Sequence, residues 1–207
     1  MRFLLTAFEP FDGTGLNSSH AGCRAFLERW GAEFDLRYAL LPVEYGRDLE
    51  VLEQARAEGA VDLILHTGQA SAAREVHVER VALNVRYGSS VPGEAVDHRA
   101  VEPEGPAALF SPLPVDDVAA AIRAEGLPAV VSNHAGIYLC NHVLYGSLLR
   151  AERRGGPPAG FLHVPRLPEQ SPGNGAGMTA EATARAIRAA LRCLSDPHVR
   201  PGPFRGV

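Results

Sequence analysis

Cys140 stands where a loop feeds a helix. The apolar run Pro128-Ala129-Val130-Val131-Ser132 leads into Asn133-His134-Ala135-Gly136-Ile137-Tyr138-Leu139-Cys140-Asn141-His142, and Val143, Leu144, Leu148 and Leu149 then recur on one helical face. Unpaired N–H groups and the positive end of the helix dipole stabilise a thiolate at such a place, which makes it nucleophilic near neutral pH. Position alone does not decide its role, because a lone cysteine is more often a small buried hydrophobe. Two further segments supply what a thiol nucleophile needs. Gly160-Phe161-Leu162-His163-Val164-Pro165 reads as a short buried strand that delivers one histidine near its end. Val78 to Val85 reads as a strand whose odd positions, Glu79, Val81, Leu83 and Val85, form an apolar face headed by a carboxylate. Cysteine, histidine and carboxylate are the parts of a thiol hydrolase. The histidine takes the thiol proton, and the carboxylate fixes the tautomer and orientation of the imidazole.

The elements that must position these groups alternate along the chain. Strands are expected at Arg2 to Thr6, Phe34 to Leu41, Val61 to Thr67, Val76 to Tyr87 (one or two), 128–132 and 160–164. Helices are expected at Ser18 to Trp30, Glu44 to Glu58, Asp116 to Glu125, 140–153 and 179–194, with Gly59 and Gly126 as stop signals. This order predicts an α/β fold with a mainly parallel sheet covered on both faces. Ligands in such folds gather at the carboxyl ends of strands, where Thr6, Thr67, Ser132 and His163 are expected. Residues 86–114 break the alternation with Gly88, Ser89, Ser90, Pro92, Gly93 and five further prolines or glycines, and read as a functional loop or a disordered segment. The part from Arg86 to Asp97 has little apolar surface and is expected to open and close over the site. Residues 165–177 form a second, shorter break, and 196–207 read as a loose tail.

Composition narrows the class. The chain has 207 residues, 46% of them hydrophobic, enough for one domain spanning 1–207 and too few for two comfortable ones. A net charge of −4 with no basic stripe argues against nucleic acid as a partner. No apolar run approaches the roughly 18 residues that span a membrane. Met1 to Leu5 reaches Glu9 and Pro10 without a long apolar core, so no signal peptide is expected. Three cysteines, Cys23, Cys140 and Cys193, give an odd count without paired spacing, which fits a reducing cytoplasm. Cys23 on an apolar helical stripe is expected in the core, and Cys193 in the core or an interface.

Four blocks, in their order and spacing, resemble the pyroglutamyl peptidases, or pyrrolidone carboxyl peptidases, over residues 1 to about 195. They are Thr6-Ala7-Phe8-Glu9-Pro10-Phe11-Asp12-Gly13 with Asn17, then Thr67-Gly68-Gln69-Ala70, then Glu79-Arg80-Val81-Ala82-Leu83-Asn84, and last the Cys140 block followed by 160–165. The resemblance implies a single-domain open α/β/α sandwich, phosphorylase- or hydrolase-like, with a mainly parallel, mixed, twisted sheet. It implies a cysteine exopeptidase that removes N-terminal pyroglutamate through Cys140, His163 and Glu79, with no cofactor and no metal. It also implies a homo-oligomer, often a tetramer, with peptides bearing N-terminal pyroglutamate as partners.

Read by themselves, Phe8 and Phe11 are either rings packing over a turn or a clamp on a flat apolar ligand. The resemblance favours the clamp, with Asn17 and Gln69 meeting the polar atoms of the lactam and Tyr138 and Leu139 completing the wall. The family often has Phe at the Tyr138 position, and a buried hydroxyl there needs a polar partner. Ser89 stands where the family often carries an arginine near the developing oxyanion, and Arg86, three residues earlier, is the candidate substitute. Two other readings remain open. One is a nucleoside phosphorylase-like transferase with phosphate held by Asp12 to Asn17, although this segment lacks the Gly-Lys-Ser/Thr ending of a phosphate loop. The other is a catalytically weak homologue that binds blocked peptides. His134, Cys140 and His142 match no common zinc spacing.

Overall fold

Six strands build the central sheet of this computed structural model, which describes residues 1–207 except 12, 14, 89–97, 171–176, 200, 201 and 203–207. They are β1 (Arg2–Phe8), β2 (Asp35–Leu41), β3 (Leu63–Gln69), β4 (Val76–Glu79), β9 (Ala129–Ser132) and β10 (Ala159–Val164), in the spatial order β2-β1-β3-β10-β4-β9. Every neighbouring pair is parallel except β10 with β4. β3 and β10 are buried along their whole lengths, as strands covered on both faces must be. Short strands β5 (Val81–Leu83) and β8 (Ala108–Phe110) pair antiparallel beside the sheet, as do β6 (Arg86–Tyr87) and β7 (His98–Arg99).

The two faces of the sheet carry separate cores. Phe3, Leu5, Leu63, Leu65, Val76, Val78 and Leu162 pack under α1 (Ser18–Trp30), α3 (Val115–Ala124) and α5 (Ala180–Ser195). Leu4, Phe8, Ile64, Ala159 and Phe161 pack under α2 (Arg47–Ala57) and α4 (Leu139–Arg154). The alternation of these residues along β1, β3 and β10 is the period of two that the pleat imposes. The result is the expected single-domain α/β/α sandwich with a mixed, mainly parallel sheet.

Four expectations need correction. The segment from Val76 to Tyr87 is three short strands and not one alternating face. The chain leaves the main sheet at Arg80, whose N–H donates to Ser132 O at 2.8 Å and whose carbonyl accepts from Ser111 N–H at 2.8 Å. Glu79 therefore ends a strand of the main sheet, whereas Val81 and Leu83 pair with β8. Second, 98–110 contains β7 and β8, so the long break is partly ordered. Third, β4 and β9 run against β10, so Ser132 lies at a strand end that points opposite to those of Thr6, Thr67 and His163. Helix α2 begins at Arg47 and not at Glu44, because Gly46 at φ 84° forms a turn there.

Candidate active site

The site lies on the α4 face of the sheet, between β3, β10 and β4. Parallel register places His163 beside Gly68, and antiparallel register places Glu79 beside Phe161. In one strand pair, residues 161 and 163 face the same way, so Glu79 and His163 become diagonal neighbours. The Nδ1 of His163 lies 2.7 Å from Glu79 Oε1, with Glu79 1% and His163 8% exposed. The carboxylate accepts the Nδ1–H, which turns Nε2 toward the thiol. The Cys140 thiol lies near enough to the same imidazole to raise its pKa. Cys140 descends from the first turn of α4 onto β3, and a Cβ at Gly68 would come within 2.8 Å of its Sγ and 2.7 Å of Phe161 Cζ. Only glycine leaves room for the sulfur there. The structure thus brings Cys140, His163 and Glu79 together from positions 61 and 84 residues distant along the chain.

Electrostatics set the charge state of this group. Burial is the largest influence on His163 and pushes its pKa down, but the Cys140 thiolate and Glu79 together outweigh it and hold the imidazolium up to about 10. Glu79 Oε2 is buried and finds no donor among the described residues, so the charge of this carboxylate is not spread over other partners. Helix α4 opens with Tyr138 as its cap residue, without a side-chain cap bond, and the first intrahelical bond runs from His142 N–H to Tyr138 O at 3.0 Å. The N–H groups of Leu139, Cys140 and Asn141 have no acceptor within the helix.

The other expected site residues divide. Gln69 ends β3, and its Oε1 accepts from Ser18 N–H at 2.9 Å, which fixes the amide orientation. Its Nε2 is buried without an acceptor among the described residues, as is the hydroxyl of Ser18 without a partner. Asn17 is the N-cap of α1: its Oδ1 accepts from Ser19 N–H and Ser19 Oγ, and its Nδ2 donates to Glu9 O at 3.0 Å. Much of its hydrogen-bonding capacity is therefore spent inside the fold. Phe8 and Leu139 are buried members of the α4-side core, Phe11 is half-buried, and Tyr138 is 38% exposed. The Arg86 guanidinium lies over the Tyr45 ring at 4.9 Å, and that ring meets Tyr138 edge-on at 5.5 Å. Ser89, most of the expected gating loop, Asp12 and Thr14 lie outside the described residues.

Several neighbours were missed by sequence reasoning. Asp48 Oδ2 sits 2.7 Å from His142 Nδ1 in a buried pair joining α2 to α4, and Tyr45 packs edge-on against His142 at 5.1 Å. Asn141 is fully buried, and its amide binds the backbone of Leu83 and Val85. His66, which matched no motif, is also fully buried, between Thr6 Oγ1 at 2.8 Å and Ser147 Oγ at 3.0 Å. No local pattern could have flagged these pairs, since their members are 56 to 97 residues apart. Cys23 is in the core as expected, with burial pushing its thiol up to about 12.

Residues 1–196 match the family model described as pyroglutamyl peptidase. A pyrrolidone-carboxylate peptidase of Clavibacter michiganensis subsp. michiganensis is 36% identical over 96% of this chain and 97% of its own length. One from Erwinia tasmaniensis is 40% identical over 94% of this chain and 91% of its own. Among solved structures, the pyrrolidone carboxyl peptidase of Fervidobacterium islandicum AW-1 superposes with a TM-score of 0.84 at 34% identity, covering 92% of this chain and 96% of that one. Pyroglutamyl peptidase I of Bacillus amyloliquefaciens gives 0.81 at 30% identity, covering 91% and 94%.

Proposed function

The chain belongs to the pyroglutamyl peptidase family, and on that premise we propose that it is a cysteine exopeptidase removing N-terminal pyroglutamate from peptides. The observation that carries this reading is the buried His163–Glu79 bond with the Cys140 sulfur over Gly68, the register partner of His163. His163 Nε2 takes the Cys140 proton, which leaves a thiolate beside an imidazolium. The thiolate attacks the pyroglutamyl carbonyl carbon, and the oxyanion meets the open N–H groups at the start of α4. His163 then gives its proton to the leaving amine as the C–N bond breaks. Water attacks the resulting thioester, His163 takes a proton from it, and pyroglutamate leaves as Cys140 is restored. Glu79 holds the imidazole in place and stabilises its charged form.

The pocket would admit a flat neutral lactam. Gln69 Nε2, buried without an acceptor among the described residues, is a donor for the lactam carbonyl, and the hydroxyl of Ser18, the residue whose N–H holds Gln69 Oε1, is likewise buried without a partner there. Asn17 shapes the turn that carries Phe11, and Phe8, Phe11, Tyr138 and Leu139 supply apolar contact. A free α-amine would bring a charge into this setting at high cost, and proline would leave the Gln69 donor unmatched. Arg86, over the Tyr45 ring that meets Tyr138, is a nearby positive charge. We infer a homo-oligomer in the cytoplasm, a tetramer being one form; the exposed Phe110 lies in the segment suited to packing against a copy. Among the described residues no helix is long and apolar enough to cross a membrane.

Hydrolysis of a pyroglutamyl-coumarin amide, with and without prior iodoacetamide, tests the activity. Turnover should be lost on alkylation and in Cys140→Ser, and kept in Cys23→Ser and Cys193→Ser. Phosphate-dependent cleavage of a nucleoside, indifferent to alkylation, would instead favour a phosphorylase.

A further inference from the structure

The nucleophile's helix begins without a cap, and what holds its first turn has a consequence for catalysis. At α1 the Asn17 side chain accepts from Ser19 N–H, and at α5 the Thr179 hydroxyl accepts from Ala182 N–H at 3.1 Å. At α4 the cap residue Tyr138 offers no such bond. Caps are missing at α2 and α3 as well, so the absence means little by itself. What sets α4 apart is a pair of buried tethers on the two residues after Cys140. Asn141 Oδ1 accepts from Leu83 N–H at 2.8 Å, and its Nδ2 donates to Leu83 O at 2.8 Å and Val85 O at 2.9 Å. The amide thus pairs with β5 as a neighbouring strand would, and no flipped orientation keeps all three bonds. His142 is bonded to Asp48 at 2.7 Å. The strand that Asn141 grips continues directly from Glu79, so one amide joins the nucleophile's turn to the segment that bears the carboxylate.

A capping side chain at Tyr138 would bond the N–H of Cys140 or Asn141. Those are the groups the reacting carbonyl oxygen needs. We propose that Asn141, assisted by the Asp48–His142 pair, is a positioning residue that replaces the cap. It fixes the turn bearing Cys140 from the side and leaves the helix N–H groups open to substrate. The proposal rests on Cys140 being the nucleophile of the peptidase reaction proposed above.

Asn141→Ala and Asn141→Asp test it through three readouts: kcat and KM on a pyroglutamyl-coumarin amide, the rate of Cys140 alkylation by iodoacetamide across pH, and Tm. A small misplacement of the sulfur should lower kcat by about tenfold to a hundredfold, with KM changing less. In Asn141→Asp, an ionised carboxylate would face two carbonyl oxygens, so its pKa is raised on folding. The ratio of its alkylation rate to that of the wild type should recover as pH falls and the acid form donates one bond again. Asn141→Ala should show no such recovery. Folded variants with wild-type kcat and alkylation, altered only in Tm, would overturn the proposal. The Tyr138→Ser and Tyr138→Ala pair supplies an independent test at a half-exposed position. Both lose the ring, and only serine can cap. The serine variant should have the higher Tm and the lower kcat; if it is the more active of the two, open N–H groups are not what the uncapped start provides. The alkylation readout needs no substrate. A wild type that alkylates at Cys140 but cleaves no pyroglutamyl amide would therefore sink the functional reading and leave the positioning claim to stand or fall separately.

Discussion

His66 and His163 are both buried, both lie on the α4 face of the sheet, and both touch Phe161, yet they are driven in opposite directions. Among the described residues the His66 ring nitrogens bond to the hydroxyls of Thr6 and Ser147, and burial pushes its pKa down to about 3. Its ring stays neutral, with one nitrogen donating and the other accepting. His163 undergoes the same burial penalty, but a thiol and a carboxylate flank it and hold it up to about 10. Burial alone makes a histidine a neutral strut. Burial between two groups of negative charge makes it a proton carrier. The two residues sit on neighbouring strands, so the difference is made by what α4 and β4 bring to each ring.

The largest effect expected from this contrast is on turnover. His163→Ala should lower kcat by about 10^2- to 10^4-fold, as loss of a general base does. His66→Asn should lower Tm and leave kcat of the folded enzyme within a few-fold. Steady-state kinetics beside a melting curve separates the two, and a large kcat loss in His66→Asn at unchanged fold would erase the distinction. Adding Cys140→Ala to His163→Ala should cost little more, because the two act as one unit.

Glu79→Gln should be milder than His163→Ala, since the imidazole still samples the working orientation. It should also move the alkaline limb of the kcat profile to lower pH, because removing the negative partner lowers the pKa of His163. An unmoved limb would mean that Glu79 does not support the imidazolium.

Stability against pH should show the contrast as well. The folded-state pKa of His163 is above the unfolded value of about 6.5, so its contribution is full below that pH and is lost as pH rises toward about 10. The folded-state pKa of His66 is below it, so the contribution of its neutral form is full above about 6.5 and is lost as pH falls toward about 3. Denaturant titrations should find that His66→Asn flattens the acid side and His163→Gln the alkaline side. If both variants flatten the same side, the opposed charge states are wrong.

The smallest effect expected is that of Ser147→Ala, which removes one partner of His66 two helical turns beyond Cys140. About 1–3 kcal/mol of stability should go, with kcat kept, because Asn141 and His142 fix the first turn without it. A kcat loss as large as that of Glu79→Gln would extend the catalytic apparatus down to His66.

Helices were the most legible elements. The residues Ser18 to Trp30 are set apart by the helical spacing of Cys23, Phe26, Leu27 and Trp30, and α1 has those bounds. The strand carrying Glu79 was read less well. Its alternation looked continuous through Val85, but the pairing of Val81–Leu83 with Ala108–Phe110 pulls the chain out of the sheet at Arg80, and that partner is nearly thirty residues away. Gln69 was marked only by a motif, and its unpaired Nε2 emerges from the bond between its Oε1 and Ser18 N–H. Leu139 is buried in the α4-side core, a placement that its position in the sequence did not reveal.

Period, punctuation and residue type determined the α/β class, the order of helices and strands, and the candidacy of Cys140, His163 and Glu79. These are local properties, set by side-chain spacing and by caps within a few residues. The tertiary structure alone decided that β4 runs against β10, which puts Glu79 beside Phe161 and so within reach of His163. It also decided that Gly68 makes room for the sulfur, that Asn141 grips β5, and that one buried histidine is charged and another neutral. Each of those outcomes depends on contacts between segments far apart in the chain, where register and burial set the distances and the local field.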